Sequence, residues 1–113
     1  MMIRGLPEMN IREIYMDNMM IKSRKGADII EASNISMQQV RLQCEQSSPL
    51  INIENSQHLH FDKIISSSAP DLFFSVNGDR SKEIKVGQTD LSSAKDAVIF
   101  NYGADKSVFT TIK

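Results

Sequence analysis

Two imidazoles, one thiol and a short run of cations are the side chains of this 113-residue chain whose types and spacing could do chemistry. His58-Leu59-His60 places both imidazoles on one face of a strand, opposite Leu59 and Phe61. A His-x-His pair holds zinc when a third ligand converges on it. Asp62 has the same parity and is the nearest candidate. A solvated outer face explains the same spacing without a metal, and that is the reading adopted. Cys44 is the single cysteine, with Glu45 beside it and no flanking base to stabilise a thiolate. It reads as an idle thiol, and it excludes a disulfide framework or a Cys-based zinc site. Lys22, Arg24 and Lys25 surround Ser23. Such a ridge could grip a polyanion, but Asp28 and Glu31 follow at once, and a solvated loop accounts for it. Asn34-Ile35-Ser36 fits the N-glycosylation pattern, although Asn also suits a corner.

The elements that must position these groups emerge from an internal repeat. The pattern is apolar, any, apolar, two polar or small residues, apolar, any, apolar. It begins at Ile14, Ile35, Leu59 and Ile84, with a truncated fifth copy at Val108, so the spacings are 21, 24, 25 and 24. Each of Asn34, His58 and Glu83 is a polar bend just before its copy. Further short apolar segments precede the bends at 27–30, 50–53, 72–76 and 98–100. Three short strands with corners consume such a period. A hairpin meander would want Asn-Gly or Asp-Gly turns, and the one candidate, Asn77-Gly78, falls between repeats. Six leucines cannot build a leucine-rich repeat. A parallel β-helix fits, with like residues stacking about 4.8 Å apart. Ile14, Met16, Ile35, Met37, Leu59, Phe61, Ile84 and Val86 then point inward. Residues 1–10, with Gly5 and Pro7, read as an irregular lead-in loop; 11–113 read as about four to five coils with a C-terminal cap. Thr89 to Asp96 suits a looser bend with a helical turn.

Composition agrees. Fourteen isoleucines and fourteen serines favour strands and turns. Thirteen basic and fourteen acidic residues leave a charge of −1, which gives no reason to expect nucleic acid or an anionic membrane surface. No apolar run approaches the ~18 residues of a membrane span, and the first residues lack the apolar stretch of a signal peptide.

Several stretches resemble one family. Gly5-Leu6-Pro7-Glu8-Met9-Asn10-Ile11-Arg12 is similar to a late segment of the glycoside hydrolase family 28 polygalacturonases. Lys25-Gly26-Ala27-Asp28-Ile29-Ile30-Glu31-Ala32-Ser33-Asn34-Ile35 looks like their coil signature. Pro49-Leu50-Ile51-Asn52-Ile53-Glu54-Asn55-Ser56 repeats that style, and Asn77-Gly78-Asp79-Arg80-Ser81-Lys82-Glu83-Ile84 resembles a corner of bacterial members. The resemblance implies a right-handed parallel β-helix and, for the family, inverting hydrolysis of α-1,4 galacturonide bonds by paired carboxylates. It also implies a secreted or periplasmic location. The family's working motifs, Asn-Thr-Asp, Asp-Asp, Gly-His-Gly and Arg-Ile-Lys, are absent. Gln88-Thr89-Asp90 and Met20-Ile21-Lys22 each miss one by a single residue and are taken as coincidence. The chain therefore reads as C-terminal coils of a polygalacturonase-like enzyme, inactive alone, with no catalytic residue, cofactor or metal. The alternatives are a free-standing module for acidic polysaccharide and one chain of a split enzyme. An uncovered edge on the 14–21 coil would favour a homodimer.

Overall fold

The computed structural model describes residues 2–6, 8–9, 11–67 and 70–112. Pro7 and Asn10 of the first resembling stretch lie outside them. The strands are β1 (Met2–Arg4), β2 (Ile11–Ile30), β3 (Ala32–Glu54), β4 (Gln57–Asp62), β5 (Ile65–Ser66), β6 (Leu72–Asn77), β7 (Lys82–Gly87), β8 (Asp96–Asn101) and β9 (Phe109–Ile112). Every pairing between them is parallel. The chain is a parallel β-helix of about four turns.

Three sides repeat down its axis. The first side stacks 27–30, 51–54, 74–77 and 98–101. The second stacks 14–17, 35–38, 59–62, 84–87 and 109–112. The third stacks 19–23 on 40–44, with Ile65 and Ser66 below. On each side alternate residues face inward. Ile35, Met37, Val40, Leu42, Leu59, Phe61, Ile84 and Val86 are buried, as are Ile29, Ile51, Ile53, Phe74 and Val76 on the first side. All five phenylalanines join in the lower core. Phe74 lies 5.3 Å from Phe61, 5.1 Å from Phe73 and 5.4 Å from Phe109, and Phe109 lies 6.2 Å from Phe100. Tilted and offset pairs at these spacings suit the ring quadrupole.

The corners are built from left-handed backbone. Among the described residues, eleven non-glycine residues have φ between 46° and 62°. They fall in three columns: Glu13, Asn34, His58 and Glu83; Asn18, Gln39, Lys63 and Gln88; and Glu31, Asn55 and Tyr102 with Gly78. Each such residue costs about 1 kcal/mol or more. The inter-coil ladder continues through the bend in compensation: Glu31 N–H donates to Glu54 O, Asn55 to Asn77 O and Gly78 to Asn101 O, each at 3.0 Å. Inside the third column's corner the space is narrow, and Ala32 and the fully buried Ser56 and Ser81 fill it. Ser56 Oγ donates to Glu54 O at 2.9 Å and Ser81 Oγ to Asn77 O at 3.0 Å. At Gly26 the backbones of two coils nearly touch; an added Cβ would sit 1.9 Å from Leu50 O.

Two expectations are corrected. The fifth copy begins at Phe109, not Val108, because Ile84 pairs with Phe109. A 3₁₀ turn over Lys106–Val108 takes up Val108 and shifts the register by one. The lead-in segment is not wholly a loop. Met2–Arg4 is a strand whose Ile3 stacks on Ile29, so it supplies the first side of the first coil. Leu6 and Met9 face each other across an isolated antiparallel bridge. The looser bend after Thr89 contains a 3₁₀ turn over Leu91–Ser93 capped by Asp90.

A cation-lined third side

The candidate zinc ligands do not converge. His58 occupies a left-handed corner position rather than a strand face. There its Nδ1 lies 2.6 Å from Oε2 of Glu83, the corner residue one coil below, with both side chains exposed. His60 stands on the second side between Ser36 and Lys85, and Asp62 between Gln38 and Gly87. The parity argument assumed a straight strand through His58, and the corner breaks it. Among the described residues no three His, Cys, Asp or Glu side chains gather as a metal site. Thr89 and Asp90 are engaged structurally. Thr89 Oγ1 donates to Gly87 O at 2.9 Å and accepts from Ile64 N–H at 3.3 Å, while Asp90 caps the following turn. Asn34 is an exposed corner residue, and Ile35 beside it is in the core.

The basic run gains a different meaning. Asp28 and Glu31 do not neutralise Lys22 and Arg24, because they belong to the first side, where Lys25 shares a cleft with Asp28. Asp28 Oδ1 accepts from Asn52 Nδ2 at 3.1 Å. Glu31 is buried and paired with Arg80, which reaches it from the 78–81 turn two coils away. Lys22 and Arg24 face solvent on the third side and are joined there by Arg41 and Lys63. Register makes this grouping: Met20 pairs with Arg41 and Arg41 with Ile65, while Lys22 pairs with Gln43.

Depressions of about 430 and 660 Å³ run along this side, with a smaller one of about 320 Å³ below them. Arg41 and Lys63 line the first with Met20 and Ile65; Lys22 and Arg24 line the second with Glu45 and Cys44. Four cations line the two larger depressions with one carboxylate, Glu45, and Asp90 joins Lys63 at the smaller one, on a chain whose net charge is −1. Cys44 is half-buried at the second depression, and burial pushes its thiol pKa up. It is therefore a poorer nucleophile than an exposed cysteine. Exposed apolar groups (Met19, Met20 and Ile65) provide contact surface where no aromatic ring stands. Such a groove can hold an extended anion by charge and van der Waals contact. It offers no paired acid and base for bond cleavage.

The first side carries a ladder that sequence reading missed. Asn77 Nδ2 donates to Asn52 Oδ1 at 2.8 Å, and Asn52 in turn donates to Asp28. The signal was present in the spacing of 24 and 25 between these positions. Lys25, Asp28, Ser48 and Asn52 border a cleft of about 400 Å³ at its upper end. Because the ladder uses Asp28 and both asparagines internally, it reads as a structural seam. Compared with family models, with curated proteins and with solved structures, this chain matches none.

Proposed function

We propose that this chain is the C-terminal coil section of a polygalacturonase-like glycoside hydrolase, with a structural rather than a catalytic task. The observation that carries the reading is where the resembling stretches fall. Gly26 to Asn34 and Pro49 to Ser56 each cover the first side and its following corner in successive coils. Asn77 to Ile84 covers the next corner. A parallel β-helix is also the fold the resemblance implies. On this reading the section extends the sheets of the enzyme. Incubated with polygalacturonate, the purified chain should release no reducing ends. Turnover that survives repurification would overturn the structural role.

The cation-lined third side favours a second reading, in which the section also contacts acidic polysaccharide. Uronide carboxylates repeat along such a polymer, and clustered cations hold it through additive, salt-screened attraction. Affinity electrophoresis through gels containing polygalacturonate tests this. The chain should be retarded relative to gels with a neutral polysaccharide, and Arg41→Glu with Lys63→Glu should abolish the shift. Equal migration in both gels would remove the reading.

A further inference from the structure

We infer that an acidic polysaccharide crosses the third side obliquely, along a line of three cations: Lys22 on the first coil, Arg41 on the second and Lys63 on the third. This rests on the acidic-polysaccharide reading above and adds to it the contact residues and the path. Register draws the line. Arg41 stands between the buried Val40 and Leu42, so it points outward. Lys22 lies on the coil above, in register with Gln43, two residues beyond Arg41. Lys63 lies on the coil below, two residues before Ile65, the partner of Arg41. All three are exposed. They stand on the outer wall, which a coil stacked above or below does not cover. Each step along the line moves one coil and two residues, about 8 Å.

Other directions offer less. A polymer laid along the solenoid axis would meet Met20, Arg41 and Ile65 in turn, with one cation among them. Laid along the second coil, it would meet Gln39, Arg41, Gln43 and Glu45, where the carboxylate cancels the cation. On the first coil Arg24 follows Lys22, but register sets Glu45 on the coil below Arg24, since Ser23 pairs with Cys44 and Lys25 with Gln46. The oblique line has no carboxylate between its cations. Asp90, near its lower end, is engaged by the Ser92 N–H and hydroxyl. The relief follows the same path. Lys63 and Arg41 line the depression of about 430 Å³ and Lys22 the one of about 660 Å³, so the line runs from one into the other. Met20 and Ile65 flank Arg41 above and below and offer apolar contact to the C–H groups of sugar rings. A polyuronide carries a carboxylate on every sugar, so an extended chain presents the regular row of anions that such a line requires. Weak contacts made together by one polymer add to firm binding.

Affinity electrophoresis of the full chain at low salt, over a series of polygalacturonate concentrations, tests the path. Lys22→Gln, Arg41→Gln and Lys63→Gln should each weaken binding by about two- to fivefold, the range of single exposed charges. Lys85→Gln, which removes an exposed cation from the second side, should weaken it less than any of them. The sharpest variant moves a charge without removing one. Lys22→Gln with Gln43→Lys keeps the net charge and shifts one cation straight down onto the second coil, off the line. Its affinity should stay at the level of Lys22→Gln, while Lys22→Arg should bind as the wild type does. All the substituted positions are exposed, and circular dichroism checks that each variant keeps the β signal. Wild-type affinity in the relocated variant, or an equal loss in Lys85→Gln, overturns the oblique line and leaves the polysaccharide reading standing. A wild type that migrates alike in acidic and neutral gels overturns both.

Discussion

Met16 and Phe61 hold the same place in the repeat, two coils apart on the second side, through Met37 between them. Phe61 is fully buried, whereas Met16 is only partly covered. The apolar pattern around each is alike. Among the described residues the third coil has neighbours above and below, and the first has a neighbour on one side only. Pattern therefore fixes which way a side chain points, and stacking fixes how much its burial is worth. Solenoid stability is a sum over adjacent coils, with terminal coils contributing least.

Truncation on both coils measures this difference most strongly. Phe61→Ala should cost about 3–5 kcal/mol, since it also removes the ring contact with Phe74. Met16→Ala should cost about 1–2 kcal/mol, below the usual core range because the side chain keeps contact with water. Chemical denaturation of the two variants gives both values. Equal losses would mean that the first coil is as well covered as the third.

A smaller effect probes the link between coils. Arg80 spans two coils to reach the buried Glu31. Arg80→Ala leaves that carboxylate without its cation. The loss should be about 1–2 kcal/mol, between an exposed and a fully buried pair, because Arg80 itself is half-exposed. The same denaturation experiment reads it, and Arg80→Ala with Glu31→Gln should recover part of the loss. No recovery would show that Arg80 acts through packing of its stem instead.

How much of this was legible before the structure depended on periodicity. The spacings of 21, 24 and 25 placed Ile14, Ile35, Leu59 and Ile84 in one column, as the pairing has them. The last copy slipped by one because the 3₁₀ turn at Lys106–Val108 has no apolar signature. Corners were harder. Asn18, Asn34, Asn55 and His58 are types that tolerate left-handed backbone, but Glu13, Gln39, Lys63 and Tyr102 adopt it too, held by the ladder on either side. His58 was misplaced for that reason. The cationic side was read only in part, since Lys22 and Arg24 are near in sequence while Arg41 and Lys63 arrive through stacking. The acidic neighbours that looked cancelling, Asp28 and Glu31, turn onto another side.

The smallest effect concerns the 3₁₀ turn before β9, where Asp105 accepts from Ser107 N–H at 2.9 Å. Hydrogen bonds from the Ser107 backbone and side chain hold the Asp105 carboxyl below its ordinary value. A depressed folded value favours the folded state above the unfolded pKa, and the benefit is lost as pH falls through the folded one. An NMR titration should find Asp105 protonating at lower pH in the wild type than in Ser107→Ala. Coincident curves would remove the Ser107 side-chain hydrogen bond from the account and leave the backbone one.

The parallel register underlies every comparison made above, and paired cysteines test it directly. In a Cys44→Ser background, Ser36→Cys with His60→Cys joins partners on the outer face of the second side. Their strands lie about 4.8 Å apart, within the reach of a disulfide. Ser36→Cys with Asp62→Cys is shifted by two residues, and its Cα separation of about 8 Å is too long. Mild oxidation should cross-link the first pair within one chain and leave the second as free thiols by mass spectrometry. A cross-link in the shifted pair, or in neither, would contradict the stacking of β3 on β4.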